Sequence, residues 1–241
     1  MRIAVLCDVH GNLTALDAVL DELAHEGFDL IVSGGDVAAG PQPRECLERL
    51  AALGDRIRWV MGNADREVVS AFDGALAEDP DDPASRSAHF AARRVHRAHR
   101  DLLASFAPTV SAGGVLVCHG TPASDTAIVT PRTDPDRLAE AVRDVREPTV
   151  VGGHVHLQFL QRSGTVQWVN AGSVGMPYEG APGAYWLALT SEAPDLRRTA
   201  YDVGAAEAAI RATGYPDADD VVAAIAGAVS REEALDAFSP L

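Results

Sequence analysis

The 241-residue chain contains no lysine, so all 20 of its basic residues are arginine. This absence excludes a Schiff-base lysine and the lysine of a phosphate-binding P-loop. Acidic residues outnumber basic residues by 35 to 20, which gives a formal charge of −15 at pH 7. Such an acidic chain lacks the broad basic surface that extended nucleic acid or an anionic membrane attracts. We therefore expect neither as a partner.

Cysteine and long apolar runs are also scarce. The three cysteines, Cys7, Cys46 and Cys118, are widely spaced and form no CxxC pair, which is typical of reduced thiols in a cytosolic protein. The first apolar run ends before Asp8, and no later run is long enough to span a bilayer. We therefore expect a cytoplasmic protein. The apolar fraction of 47% is too high for a disordered chain and supports a sizeable core.

The first part of the chain alternates short apolar runs with amphipathic helical patterns. This alternation predicts strands over residues 2–7, 30–33 and 57–61, and helices over 14–26 and 44–53. A βαβαβ series of this kind predicts a largely parallel sheet with helices packed against it.

The later part predicts a helix over residues 86–106, strands over 115–118 and 149–152, and a helix over 135–143 between them. Closely spaced strands over 158–162, 166–170, 184–190 and 196–201 suggest a mostly antiparallel arrangement. The remainder is rich in alanine and predicts helices with a break at 214–216. We expect one domain over 1–203 with a helical insertion at about 72–108, and a helical tail over 204–241 packed on it.

Five predicted strands are followed at once by potential metal ligands. These are Asp8 and His10, Asp36, Asn63, His119, and His154 with His156. The carboxyl ends of strands are where an α/β sheet presents its functional loops. Each motif alone is equally typical of a turn or of a core histidine. However, four of the eight histidines in the chain lie in these five places, and this concentration favours a metal site.

The chemistry of these side chains narrows the kind of ion. Carboxylate oxygen and imidazole nitrogen without a thiolate set suit Mn²⁺, Fe²⁺, Co²⁺, Ni²⁺ or Zn²⁺. Seven candidate ligands exceed what one ion needs. Two divalent ions that share a carboxylate would use them all, and such pairs catalyse phosphoryl displacement.

In their order, these motifs resemble those of the calcineurin-like metallophosphoesterases: D-x-H, G-D, G-N, H and G-H-x-H. Over residues 2–178 the chain is similar to the small bacterial phosphodiesterases of that superfamily. The resemblance implies a four-layer α/β/β/α sandwich of two mixed sheets. It also implies that Asp8, His10, Asp36 and His156 bind one ion and that Asp36, Asn63, His119 and His154 bind the other. Asp36 and Asn63 would be catalytic, with Asp36 bridging two ions that share the attacking hydroxide.

Position 64 departs from the family pattern, because many relatives have a histidine where this chain has Ala64. An alanine cannot protonate a leaving oxygen, so poor leaving groups should suffer most. Asp65 would then pair with Arg66 or cap the following helix. The pattern favours hydrolysis of small phosphodiesters or of nucleotides with anhydride links. The alternatives are a diadenosine-polyphosphate hydrolase, a protein Ser/Thr phosphatase, and a non-catalytic scaffold of the same fold.

Residues 86–100 include five arginines and three histidines but no acid. In this segment His89, Arg93 and His96 are our candidates for contacts to substrate phosphate or for a replacement acid. The alternative is a solvated face neutralised by the acidic loop over 73–82. Asn12 is predicted to cap the first helix or to orient a metal ligand, and Asp65 to support the ligands from behind. The sequence does not indicate an oligomeric state.

Overall fold

Two five-stranded mixed sheets form the centre of the molecule. The computed structural model describes residues 1–190 and 193–238. The strands are β1 (Ile3–Leu6), β2 (Leu30–Ser33), β3 (Ile57–Trp59), β4 (Val110–Ala112), β5 (Val115–Val117), β6 (Thr149–Gly152), β7 (Gln158–Ser163), β8 (Val166–Ala171), β9 (Ala184–Leu189) and β10 (Asp195–Thr199). The helices are α1 (Leu13–Glu26), α2 (Pro43–Ala51), α3 (Asn63–Phe72), α4 (Pro83–Ala92), α5 (Arg97–Ala104), α6 (Pro135–Ala141), α7 (Val203–Ala212), α8 (Ala218–Ile225) and α9 (Arg231–Phe238).

The first sheet has the strand order β10-β9-β1-β2-β3. Strands β1, β2 and β3 are parallel, as the βαβαβ pattern predicts, and Ile3 is paired with Leu30. Strands β9 and β10 extend this sheet in antiparallel register. The helical crossovers after β1 and β2 bring the carboxyl ends of these strands to one edge.

The second sheet has the order β4-β5-β6-β8-β7. Its inner pairs β5–β6 and β6–β8 are parallel, whereas β4–β5 and the β7–β8 hairpin are antiparallel. Strand β8 therefore pairs in parallel with the earlier strand β6, an exception to the mostly antiparallel arrangement predicted for the strands after residue 157. Strand β4 was not predicted.

Three apolar layers separate the sheets and helices. Val5, Val32 and Val169 belong to a cluster that joins the facing surfaces of the two sheets. Leu16 and Leu47 pack helices onto the outer face of the first sheet, and the residues around Leu138 cover the second. The predicted α/β/β/α sandwich is therefore confirmed.

The predicted helix over 86–106 is wrong in its continuity, because the structure has two helices, α4 and α5, separated at residues 93–96. His96, just before α5, has an extended backbone conformation. Its N–H donates to His99 Nδ1 at 3.1 Å. Neither proline nor glycine marks this break. The contact between His96 and His99 caps the start of α5.

The tail is helical, as predicted, and folds back onto the sandwich. Helices α7 and α8 share a buried apolar cluster with Phe90 of α4, and Ala234 of α9 packs among residues that cover the second sheet. The division of the chain at residue 203 stays a prediction. No helix among the described residues has the length and apolarity needed to cross a membrane.

Candidate metal centre and its cavity

The structure brings the seven candidate ligands together, although they come from five strand ends in two sheets. Asp8, His10, Asp36 and Asn63 follow β1, β2 and β3, while His119, His154 and His156 follow β5 and β6. The ligand atoms fall into two groups, each within 4.8 Å: Asp8, His10 and His156, and Asp36, His119 and His154. The ligand sets that the family resemblance implies contain these two groups, with Asp36 added to the first and Asn63 to the second, and they stay predictions.

The distances within and between the two groups show that they form one continuous cluster. His156 Nε2 lies 3.2 Å from Asp8 Oδ1, and His119 Nε2 lies 3.2 Å from Asp36 Oδ2. His10 Nε2 lies 3.8 Å from Asp36 Oδ2. Asp36 is thus within reach of both groups, as a bridging ligand must be.

Five of the seven residues have a left-handed backbone. Among the described residues, every non-glycine position with positive φ belongs to this cluster: Asp8 (55°), His10 (44°), Asp36 (57°), His154 (69°) and His156 (57°). A left-handed conformation costs an ordinary residue roughly 1–2 kcal/mol. Concentrated strain of this kind is typical of functional sites, where the surrounding structure imposes it.

Backbone carbonyls hold three imidazoles in one orientation. The Nδ1 atoms of His10, His119 and His156 lie 2.9, 2.9 and 2.6 Å from the carbonyl oxygens of Ala39, Gly34 and Met176. An Nδ1–H that donates to a carbonyl leaves Nε2 with a free lone pair. This arrangement is the usual way in which proteins orient histidine ligands to metals.

The electrostatics of the cluster also fit a cation. Burial raises the pKa of Asp8, but His156 and His119 outweigh this effect and lower it overall. Burial likewise opposes charge on His119, yet Asp36 and Asp8 raise its pKa to about 10. Burial also opposes the charge on Asp36, but His119 and His10 lower its pKa overall. Both carboxylates are therefore ionised at neutral pH, and they create a field that favours positive charge.

One buried oxygen supports the same conclusion. Asp8 is fully buried, and its Oδ1 accepts no hydrogen bond from the described residues, although the potential ligand atom His156 Nε2 lies 3.2 Å from it. Its Oδ2 accepts from the backbone N–H of His154 at 3.0 Å. Leaving an ionised oxygen buried without a partner is costly unless an ion compensates it. The residues present therefore fit a divalent metal pair.

Two glycines allow the ligand loops to approach closely. A Cβ at Gly40 would lie 1.9 Å from the carbonyl oxygen of His10, and one at Gly175 would lie 1.7 Å from that of Val9. Gly175 N–H donates to the carbonyl oxygen of Asp8, and Ser173 Oγ donates to the same atom. The segment around 173–175 therefore fixes the first ligand loop.

Asp65, one of the two predicted supporting residues, has different partners from those expected. Asp65 is fully buried and accepts from the N–H groups of Val37 and Ala38, both at 3.0 Å, which holds the loop that carries Asp36. Burial and then Asp36 raise the pKa of Asp65 to about 7. Arg66, its expected partner, pairs instead with Asp125. Asp65 lies inside α3 and does not cap it.

Asn12 caps α1 by accepting from the N–H of Ala15, and its amide donates to the carbonyl oxygen of Gly175 at 3.0 Å. It therefore contributes to the helix and to the segment behind Asp8. Asn63 begins α3, and its Oδ1 lies 3.2 Å from His119 Nε2. The ligand and supporting roles of all these residues stay predictions.

The seven candidate ligands are called the metal cluster below. A cavity of about 540 Å³ opens from this cluster. His10, Asp36, Asn63, His154 and His156 lie at its base together with Ala64. Its outer wall includes residues that the sequence analysis did not select, from α4, from the loop after β8 and from the tail. They are Pro83, Ala84, Ser87, Met176, Tyr178, Tyr215, Asp217, Asp220, Val221, Ala223, Val229 and Phe238.

None of the arginines and histidines of residues 86–100 is among the described residues that line this cavity. His89 is buried, with Nδ1 and Nε2 near the carbonyl oxygens of Ser85 and Leu76 at 2.9 and 3.1 Å. Arg93 pairs with Glu78, and Arg100 pairs with Asp73, so the acidic loop neutralises part of the segment. His96 precedes α5 and is exposed. Contact of His89, Arg93 and His96 with substrate stays a prediction that this arrangement does not favour.

The cavity does contain an acid that the sequence analysis missed. Glu67 lies one turn after Asn63 on α3, hydrogen-bonds to it, and lines the cavity. Burial and then Asp36 raise the pKa of Glu67. The spacing of four residues from Asn63 was the available signal, because it places both side chains on one helix face.

Comparison with known proteins agrees with this geometry. The Sphaerobacter thermophilus metallophosphoesterase structure superposes with a TM-score of 0.77 at 28% identity, covering 94% of this chain and 99% of that one. Phosphodiesterase YfcE of Escherichia coli K12 is 26% identical over 196 residues, which are 78% of this chain and 86% of that protein.

A symmetrical bis(5'-nucleosyl)-tetraphosphatase from Cronobacter sakazakii is 36% identical over 84 residues, 34% of this chain. The match spans only 30% of that relative's length. A family model described as the calcineurin-like phosphoesterase superfamily domain matches residues 1–193. This match includes all seven clustered ligands, and the chain belongs to the calcineurin-like phosphoesterase superfamily.

Proposed function

We propose that the protein is a phosphodiesterase that hydrolyses small phosphodiester or nucleotide substrates with a pair of divalent metal ions. The observation that carries this proposal is the cluster of two ligand groups joined by Asp36 at the base of a cavity. Mn²⁺, Fe²⁺, Ni²⁺, Co²⁺ and Zn²⁺ all suit this mixed oxygen and nitrogen set. The similarity to a phosphodiesterase over most of both chains supports the same class of reaction.

When bound, two such ions supply Lewis acidity and activate a water nucleophile near neutral pH. The residues of the chain would then divide the remaining tasks. Asp8, His10 and His156 would hold one ion, Asn63, His119 and His154 the other, and Asp36 both. The backbone N–H of Ala64 donates to Asp36 Oδ1 at 2.9 Å and fixes the carboxylate that faces both groups.

The leaving group must depart without an imidazole at position 64. Ala64 lines the cavity beside Asn63, so the space there is open to substrate. Leaving groups that are stable as anions need little protonation, whereas alkoxides need it most. We therefore propose aryl phosphodiesters or nucleotides with anhydride links, and not alkyl monoesters, as the favoured substrates.

A second candidate is hydrolysis of dinucleoside polyphosphates, which the similarity to a bis(5'-nucleosyl)-tetraphosphatase favours. A non-catalytic scaffold is disfavoured because the complete ligand set is retained and oriented. We also propose a cytoplasmic location, supported by the three buried cysteines, which form no disulfide.

The substitution Asp36→Asn tests the proposal. It removes the shared carboxylate charge, so we expect hydrolysis of bis-p-nitrophenyl phosphate with Mn²⁺ to fall by ~10³-fold, about 4 kcal/mol of transition-state stabilisation. Asp17→Asn, an exposed acid on α1, is the matched control and should keep the wild-type rate. Unchanged hydrolysis by Asp36→Asn would contradict the proposal.

A further inference from the structure

The wall of the cavity outside the metal cluster differs from its base in both chemistry and origin. Much of it comes from residues 215–238, which lie beyond the region that matches the family model. From this wall we propose that the cavity selects phosphodiesters with a single negative charge and an aromatic arm, and discriminates against polyphosphates. The inference rests on the proposed function and specifies its substrate class.

Aromatic and apolar side chains form one side of the wall. Tyr178 stacks on His156 with ring centroids 4.7 Å apart and an interplanar angle of 21°. Phe238 lies beyond Tyr178, with centroids 6.2 Å apart. Val221 and Val229 continue this surface. An aromatic path therefore leads outward from a metal ligand, and an aromatic ring of the substrate gains both apolar burial and ring packing there.

The charges on the wall are negative. Glu67, Asp217 and Asp220 line the cavity, and none of the described lining residues is an arginine. The chain has no lysine to serve in that place. Asp217 is paired with Arg86, so phosphate oxygens beyond the metal cluster would chiefly meet the carboxylates of Glu67 and Asp220. Each additional phosphate of a polyphosphate chain is disfavoured, because like charges repel strongly at short range.

The size of the cavity suits a small organic arm. Its volume of about 540 Å³ lies within the range of small-molecule sites. A phosphodiester with one aromatic ring fits this volume and presents one charge. The combination of size, aromatic lining and acidic charge thus favours one class of substrate.

Ion pairs hold the tail in the position that forms this wall. Arg86 of α4 donates to both carboxylate oxygens of Asp217, with a shortest distance of 2.6 Å. Arg94 donates to the carbonyl oxygen of Thr213 at 2.7 Å. Arg231 of α9 pairs with Glu179 and donates to the carbonyl oxygen of Gln158. Two arginines of the basic segment, Arg86 and Arg94, therefore contact the part of the tail that forms this wall.

The first test changes the charge of the wall. The readout is kcat/KM for diadenosine tetraphosphate divided by kcat/KM for bis-p-nitrophenyl phosphate. Asp220→Arg should raise this ratio at least ~5-fold, because a cation at the wall attracts the extra phosphates. The matched control is Asp219→Arg, which makes the same charge change in the first turn of α8 at a residue whose side chain is 89% exposed and outside the cavity. The control should change the ratio less than ~2-fold, since its charge is screened by solvent.

The second test measures binding without hydrolysis. Phenylphosphonate and methylphosphonate share a phosphonate group whose C–P bond a phosphoesterase does not cleave, and only the first has a ring. We expect phenylphosphonate to bind the Mn²⁺-loaded protein ~10-fold more tightly by calorimetry, the effect of burying one ring. Phe238→Ala should reduce this preference at least ~3-fold, whereas Leu160→Ala, an exposed leucine on β7 outside the cavity, should preserve it.

The outcomes separate the inference from the proposed function. Suppose that diesters are not hydrolysed but that phenylphosphonate is preferred and Phe238→Ala reduces this preference. This result would overturn the proposed function and support selection of an aromatic arm by the wall. Diester hydrolysis with equal binding of the two phosphonates would overturn the claim that the wall selects an aromatic arm. A wild-type preference for diadenosine tetraphosphate, or equal ratios in Asp220→Arg and Asp219→Arg, would overturn the discrimination against polyphosphates.

Discussion

The metal cluster and the cavity wall are adjacent, yet they are built in opposite ways. The cluster consists of ligands on short loops after parallel strands, with a left-handed backbone at five positions. The wall combines α4 with tail residues more than 120 positions later in the chain, joined by the Arg86–Asp217 pair. The cluster is buried and strained, whereas the wall is partly exposed and held by side chains.

This difference separates the chemistry of the molecule from its selectivity. The ligand loops depend on backbone geometry, so a small change there should alter the reaction itself. In our proposal the wall contacts the aromatic arm of the substrate, so changes there should alter which substrates are accepted. The predictions below test this division from the largest expected effect to the smallest.

Removal of metal should affect the cluster most strongly. We expect chelation to reduce bis-p-nitrophenyl phosphate hydrolysis by ~10³-fold or more, with recovery on addition of Mn²⁺. Saturating metal should also raise the melting temperature by roughly 5–10 °C, because binding to the folded state alone stabilises it. Calorimetric scans with and without Mn²⁺ measure this shift. Full activity in protein shown to be metal-free would contradict the account.

Gly40→Ala should damage the cluster from outside its ligand set. The new Cβ would overlap the carbonyl oxygen of His10, so the ligand loop must shift. We expect this displacement of the ligand loop to reduce activity about 10²-fold. Gly204→Ala is the control, since its Cβ would meet Asp202 Oδ1 at an ordinary 3.4 Å. Equal steady-state kinetics in the two variants would show that the approach of these loops is not required.

Ala64→His tests the boundary between the two regions. An imidazole in this part of the cavity can protonate a leaving oxygen, so we expect kcat for a poor alkoxide leaving group to rise ~10-fold or more. The rate with p-nitrophenolate should change little. The ratio of the two kcat values is the readout, and Ala64→Asn is a control without an acid. An unchanged ratio would show that another group already supplies the proton.

Arg86→Gln should have the smallest effect, confined to the wall. It removes the pair with Asp217 that joins α4 to α8. We expect KM for an aryl phosphodiester to rise roughly threefold with kcat nearly constant, since single ion pairs of this exposure contribute modestly. Arg97→Gln, in an exposed pair within α5, is the control. A large fall in kcat would contradict the division between chemistry and selectivity.

The contrast also explains how much the sequence could predict. The ligands follow apolar strands within a few residues, and strand order then brings them to one edge, so local motifs sufficed to predict the cluster. The sandwich followed from the same periodicity and from the family resemblance. Left-handed φ values at Asp8 or His154 could not be predicted, because these residue types also occur in ordinary turns.

The wall could not be predicted, because its contacts join distant residues without a motif. Nothing near Asp217 in the sequence indicates that Arg86 is its partner. The basic segment suggested phosphate binding, but each of its arginines contacts a carboxylate or a backbone carbonyl oxygen. The break between α4 and α5 was likewise not predicted, because a histidine contact caps α5 and no proline or glycine marks the break.

Metal content is the most direct test of the central claim. Protein reconstituted with Mn²⁺ and freed of unbound ion should contain two ions per chain by mass spectrometry, and Asp36→Asn should contain clearly fewer. The two-group geometry with a shared carboxylate predicts this loss. One ion or none in fully active wild-type protein, or two ions retained by Asp36→Asn, would contradict the account.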